Sequence, residues 1–396
     1  MRASTPAPQP IAAASTSLTA FVGKTRFGPL DRPVQISSAA EFGVVFGGLW
    51  SASPLSFAIQ LFFESGGQTA IVARIASPDA TATTPGGSID DADLAPREGV
   101  VGQQGIYLLE RQMTFDLLVI PPYDWDRGPA PSTWAAAAEF CEARRAFLLV
   151  DPTVRGASGT SGAIRKELAA LEDALPREIP GAKNAACYFP RLLARNALAQ
   201  KDHLVAPAGA IAGMMARIDA AAGVWTAPAG NDAVVRGVVG LERALSAREL
   251  SDLASLGVNG LRDLPATGVV AWGSRTWQGA DGIATDWKYV SVRRLALFLE
   301  KSIEQGTRWA RFEENDEPLW ERIRLDVVEF LHSLFRRGAF QGQMPDEAFF
   351  ARCGADTTTQ QEIDQGVVNI QIGFAPLRPA DFVIVEIRQL AGQTDG

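Results

Sequence analysis

The sequence predicts an α/β fold joined to an α+β region, and three observations carry that reading. From about Val100 to Val258, short apolar runs alternate with helical segments, as parallel strands buried on both faces require. After Gly257 the alternation stops. A long amphipathic helix, Asn315–Gly338, is then followed by two β-type runs, Val367–Phe374 and Phe382–Leu390. Both ends read as extended, since Met1–Pro10 holds too few apolar side chains to pack alone. The last strand has few neighbours left to satisfy both of its edges, so another copy of the chain becomes a candidate partner. A body with two extended arms predicts a building block of a polymer.

The elements follow in order. Leu18–Pro29 opens as a short strand and ends at a Gly/Pro turn, and Pro33–Ser37 gives a second strand. Ser38 caps a helix through Phe46 that stops at Gly47 and Gly48. Ser53 and Pro54 open the next helix, through Glu64, with Leu55, Ala58, Ile59, Phe62 and Phe63 at helical spacing. Thr69–Ile75 is a β-branched strand, and Ser77–Glu98 is a Pro/Gly/Thr/Asp-rich linker or the stub of an insertion. Strands at Leu117–Ile120, Phe147–Val150 and Ala185–Phe189 alternate with helices at Ser132–Arg145, Gly162–Leu175 and Ala206–Ala220. Beyond them, Val269–Trp272, Lys288–Val292 and Arg308–Phe312 read as strands and Val292–Gln305 as a helix. The long helix has acid at its mouth, Arg336 and Arg337 in its last turn and Gly338 at its exit, as the helix dipole and capping favour.

Composition narrows the class. The 396 residues are 47% hydrophobic and 21% charged, ordinary for a globular chain with room for two or three domains. A net charge of −8 gives no global support to nucleic-acid binding. Cys141, Cys187 and Cys353 lie far apart, with neither a disulfide framework nor zinc-type spacing. The N-terminus has no basic stretch followed by an apolar one, so no signal peptide is expected, and no apolar run approaches the ~20 residues of a membrane span; an intracellular protein is expected.

Chemistry is sparse. His203 sits in a polar turn and His332 on the long helix, neither in a ligand or acid–base pattern. Gly156–Gly162 lacks the Lys of a phosphate loop and the order of a nucleophile elbow. Asp151 ends a strand at the edge where α/β sheets bind ligands, yet Asp-Pro is also an ordinary turn. Glu313, Glu314, Asp316 and Glu317 are explained by the helix N-terminus they occupy. No catalytic, metal-ligating or cofactor-binding residue is assigned, and no cofactor or enzymatic activity is expected.

Several stretches, in order, resemble contractile tail sheath proteins, which build the sheaths of contractile phage tails, R-type tailocins and extracellular contractile injection systems. They are Phe21–Pro29, Phe46–Trp50, Phe62–Gly67, Ile120–Tyr123, Phe147–Pro152, Val224–Gly230 and Gly257–Arg262. The match is densest in Trp287–Val290, Arg293 with Arg294, Phe312–Trp320, Gly338–Gly342 and Thr357–Gln360, and the Val367–Leu390 strand pair closes it. The resemblance covers nearly the whole chain.

The resemblance implies a subtilisin-like α/β middle domain without protease function. It also implies a C-terminal α+β sheath domain completed by strands from neighbouring subunits. The expected division is an N-terminal arm at 1–20, a part packing with the sheath core at 21–76 and a linker or insertion stub at 77–99. The α/β domain at 100–258, the sheath domain at 259–380 and a C-terminal arm at 381–396 follow. The N-terminal arm would contact a neighbour through Ile11, Thr16, Leu18 and Thr19. The C-terminal arm would do so through Phe382, Val383, Ile384, Val385, Ile387 and Leu390. Arg322, Glu329, Arg336 and Arg337, largely off the apolar stripe of the long helix, are the expected inner-tube contacts. Implied partners are other copies in six-fold rings, the inner tube protein, and baseplate and terminal cap proteins, with neither nucleic acid nor membrane insertion. Assembly in the bacterial cytoplasm, into a phage tail or tail-like particle that can be released, is expected. Two other classes stay open: a degenerate or unrecognised α/β hydrolase, and a non-contractile self-assembling shell protein.

Overall fold

The computed structural model describes residues 10–95, 104–111, 114–151, 168–169, 172–173, 175–196, 198, 201–377 and 383–391. The chain divides into two compact units, Thr16–Arg293 and a second made of Met1–Ser15 with Arg294–Gly396.

The first unit is built on an eight-stranded sheet. Its strands are β1 (Thr19–Gly23), β2 (Val34–Ile36), β3 (Ala70–Arg74), β4 (Leu117–Val119), β5 (Phe147–Val150), β6 (Ala185–Phe189), β10 (Val258–Leu264) and β11 (Gly268–Ala271). Their spatial order is β11-β10-β6-β5-β4-β1-β3-β2. Neighbours from β10 to β3 pair in parallel, while β11 and β2 run antiparallel at the two edges. Between β6 and β10 the chain forms a small antiparallel sheet of β7 (Leu192–Asn196), β8 (Lys201–Val205) and β9 (Val238–Leu241).

Parallel strands need crossovers, and the sequence supplies apolar helices for them. These are α1 (Ala39–Phe46), α2 (Pro54–Ser65), α3 (Pro131–Ala143), α4 (Ala208–Ala222) and α5 (Ala247–Ser255). Ser38 and Ser53 cap α1 and α2, and Gly47 and Gly66 end them in the left-handed region, as the sequence indicates. Every residue of β1, β3, β5 and β6 is buried, as expected of strands covered on both faces. Phe62 of α2 meets Phe21 edge-on at 5.3 Å on one face, while Trp134, Phe140 and Leu109 join the core of Val22, Ile71, Leu118 and Leu148. Helices α2 and α4 approach closely because Gly209 and Gly213 carry no Cβ; one added at Gly209 would lie 2.5 Å from the Ala58 carbonyl.

The second unit holds most of α6 (Val290–Gly306), a 3-10 turn at Arg308–Phe312, α7 (Glu317–Arg336) and a three-stranded antiparallel sheet. That sheet runs β12 (Phe349–Arg352), β13 (Val367–Phe374), β14 (Val383–Leu390). Cross-strand partners Ile370 and Ile387, Ile372 and Val385, and Phe374 and Val383 are all buried. The intervening Glu386 and Arg388 are exposed. This period of two reproduces the apolar register expected of the last strand. Leu319, Ile323, Val327, Phe330, Leu331 and Leu334 form the buried stripe of α7, as their spacing predicts.

Four expectations change. Residues 21–76 supply β1, β2 and β3 to the same sheet as β4 and β5, because β1 pairs with both β3 and β4. Thr19 and Ala20 are buried strand residues, which shortens the arm expected at 1–20. Lys288–Val292 makes only a bridge between Tyr289 and Arg275 before α6 begins at Val290. Arg308–Phe312 is a 3-10 turn: Phe312 stands 71% exposed, so the run lacks the alternating buried face that would hold a strand. Gly156–Gly162 and Phe382 lie outside the described residues.

Candidate assembly surfaces

The edges of the two main sheets are finished differently. Beside β11, the stretch after Trp225 runs along the strand. Gly230 N–H donates to Ala271 O at 2.8 Å, Val235 N–H to Val269 O at 2.8 Å, and Ala271 N–H to Ala233 O at 3.0 Å. The opposite edge, β2, is three residues long. Covering and shortening are two ordinary ways to protect an edge. In the C-terminal sheet, β14 is an eight-residue edge strand, paired with β13 along its full length on one side. No strand among the described residues pairs with its other side. Val383, Val385 and Ile387 point into their own unit, and Leu390 is 41% exposed. Ile384 pairs with Gly373 across the two strands.

The motifs around β13 hold that sheet in place. Asn315 donates to Ile363 O at 3.2 Å and Val367 O at 3.1 Å, and accepts from Trp320 Nε1 at 2.8 Å. Asp316 caps α7 by accepting the Leu319 N–H at 3.2 Å. Thr357 Oγ1 donates to Asn369 O, and Thr358 Oγ1 accepts from Asn369 N, both at 3.0 Å. Thr359 caps the short helix Gln360–Asp364 in a box with Glu362. The start of α7 and β13 are thereby tied together.

The expected tube-contact residues do not form one class. Glu329 and Arg336 are exposed on α7, and Arg337 is exposed just past its end. Arg322 is half-buried, stacked 3.9 Å above the Trp309 ring and 3.6 Å from Glu313. One turn on lies Asp326, 3% exposed, with neither carboxylate oxygen hydrogen-bonded among the described residues. Burial raises its pKa, which Arg322 opposes. Arg322 Nε and Trp309 Nε1 are likewise buried without a hydrogen-bond partner.

At the N-terminus, Ile11 is buried against Gly306, and Ala14 N–H donates to Ser302 Oγ at 3.0 Å. Thr16 and Leu18 lie just ahead of β1, and Leu18 N–H donates to Asp116 Oδ2 at 2.9 Å. Thr19 is fully buried between β3 and β4. Leu18 and Thr19 are therefore held within the chain's own first unit.

The residues weighed for chemistry have structural roles. Asp151 Oδ1 accepts the Ala208 N–H at 3.0 Å, capping α4, and burial pushes its carboxyl up to about 7. His203 packs against the rings of Trp125 and Phe57, and His332 against Phe335 and Phe349. Among the described residues there is no metal-binding cluster and no helix long and apolar enough to cross a membrane.

Comparison with known proteins adds the following. Residues 284–389 match the phage tail sheath C-terminal domain. The tail sheath protein of Vibrio phage KVP40 is 32% identical over 196 residues, which is 49% of this chain and 28% of the phage protein's length. The helical sheath of the anti-feeding prophage in its contracted state is 28% identical, with a TM-score of 0.71 over 97% of this chain and 96% of that one. The sheath complex of the extracellular contractile injection system PVC, also contracted, shares the fold, with a TM-score of 0.73 at 23% identity over 97% and 94% of the two chains.

Proposed function

Taking the chain as a contractile tail sheath protein, which the domain match, the phage relative and the solved sheaths support, we propose that it is a structural subunit of a contractile sheath. In this reading it polymerises as stacked hexameric rings around an inner tube, and contraction drives that tube through a target envelope. The observation that carries the reading is β14, a long edge strand with one side unpaired among the described residues, within the matched sheath domain. Strand addition uses backbone groups and demands little of sequence, so arms of neighbouring copies can link subunits there. Such links act as tethers while the bodies they join rotate. Contraction then needs only an extended state of higher free energy, trapped during assembly, and no nucleotide at the moment of firing.

The finer parts belong to the same proposal. The subtilisin-like layout of residues 100–258 is supported by the parallel run of β4, β5 and β6, which β10 continues past that expected limit. The expected domain limits of 77–99 and 381–396 are retained. Thr16 remains an arm contact, and Glu329, Arg336 and Arg337 remain the tube-facing charges. Inner tube, baseplate and terminal cap proteins are the partners, and assembly precedes release of a phage tail or tail-like particle. Negative-stain microscopy of the purified chain tests the whole. Hollow striated cylinders are expected, and uniformly monodisperse particles would overturn it.

A further inference from the structure

Gly306, the last residue of α6, keeps an ordinary φ, so no backbone demand calls for glycine there. Space does. A Cβ at this position would stand 2.8 Å from Ile11 Cγ1, 2.8 Å from Ile11 Cγ2 and 3.0 Å from Ile11 Cβ. Ile11 is 8% exposed, with its branched side chain filling the notch that the missing Cβ leaves. One turn back along α6, Ser302 is fully buried. Its hydroxyl donates to Phe298 O at 2.7 Å and accepts the Ala14 N–H at 3.0 Å. Positions 302 and 306 are stacked on one helix face, and they meet positions 14 and 11 of the segment in matching order. One contact is a steric fit and the other a hydrogen bond, so each fixes the register of the other.

We propose that the Gly306 notch and Ser302 form a built anchor for residues 11–14 of the same chain, rooting the N-terminal arm on its own subunit. Residues 11–14 then pack on their own chain and do not reach a second copy. The inference deepens the sheath reading and rests on it for what the arm does. An anchored root sets the reach of the tether, whereas an arm free as far as β1 would leave slack between neighbours.

A disulfide trap in the full chain tests the anchor. The native Cys141, Cys187 and Cys353 are buried and do not compete. In the Ile11→Cys, Gly306→Cys variant the two Cβ atoms start 3.0 Å apart, within a small relaxation of disulfide spacing. Mild oxidation of the unassembled protein should give a monomer with one internal link and shifted mobility, reversed by reductant. Covalent multimers, or no link, would overturn the proposal. A second pair of variants reads the arm's role. Gly306→Val should cut the assembled fraction about tenfold by overpacking the notch, and adding Ile11→Ala should restore most of it. Failure of that rescue also counts against the anchor. If the wild-type chain forms no cylinders, the sheath reading fails, while the disulfide trap still decides the anchor.

Discussion

The parallel sheet of residues 16–293 and the antiparallel sheet at the C-terminus bury comparable strands but treat their edges in opposite ways. The first caps β11 with the Gly230–Val235 stretch and stops its other edge after the three residues of β2. The second ends on β14, eight residues long, with no strand beyond it among the described residues. Both sheets obey the same hydrogen-bonding chemistry, so the difference lies in what each still has to pair with. A covered edge belongs to a finished domain. An open one, beside Asn315 and the Thr357–Thr359 turn, is what the proposed completion by strands of other copies requires.

The largest effect should come from removing the open edge itself. Deleting residues 381–396 takes away the buried Val383, Val385 and Ile387, each worth roughly 1.5–3 kcal/mol of burial. Assembly should be abolished and the C-terminal unit lose its cooperative melting, while the parallel-sheet unit keeps its own transition in calorimetry. Long intact cylinders from this deletion would erase the contrast between the two sheets.

Next comes Asn259, fully buried in β10 of the finished sheet. It donates to Cys187 O at 3.1 Å and Arg275 O at 2.8 Å, and accepts from Arg275 N–H at 2.6 Å. Asn259→Ala leaves those backbone groups unpaired and should cost roughly 2–4 kcal/mol in denaturant unfolding, without changing how surviving subunits assemble.

Asp151 gives a pH signature to the same unit. Its folded carboxyl is raised to about 7 by burial, so the folded state holds a proton that the unfolded state has lost. Stability from this group is therefore present below the usual carboxylate range and declines as pH rises through about 7. Asp151→Asn should flatten that decline between about pH 4 and 7, keeping a side-chain oxygen for the Ala208 N–H.

In the C-terminal unit, Asp326→Leu should raise stability by roughly 1–2 kcal/mol, since a buried acid with unpartnered oxygens is replaced by an apolar group. The smallest effect on folding concerns the exposed charges of α7. Reversing Glu329 and Arg336 together should shift stability by no more than about 1 kcal/mol. Particles should nevertheless show sheath without tube, or tube without sheath. Arg322 is unsuited to that test, because it stacks on Trp309, and a reversed charge there would sit beside Asp326.

The sequence made periodic features plain and long-range pairing obscure. The apolar stripe of α7 and the alternating face of β14 follow from spacing alone, and both are buried as that spacing requires. Thr19–Gly23 also reads as a strand. Its central place between β3 and β4 does not, because a short buried parallel strand carries no mark of its partners. The same blindness hid the side chains that bind distant backbone. Asn315 reads as the start of the long helix and Asn259 carries no mark of its own, yet each secures chain brought near only by folding, Asn315 reaching Ile363 and Val367. Nothing in the sequence sets Asp326 apart from the other charges of α7, yet it is 3% exposed.

Amide hydrogen exchange on free subunits and on assembled cylinders tests the open edge most directly. The account predicts that protection gained on assembly is concentrated in β14, residues 383–390, while the central strands β5 and β6 exchange equally slowly in both forms. Equal protection of β14 before and after assembly would contradict it, because the edge would then be closed within the single chain.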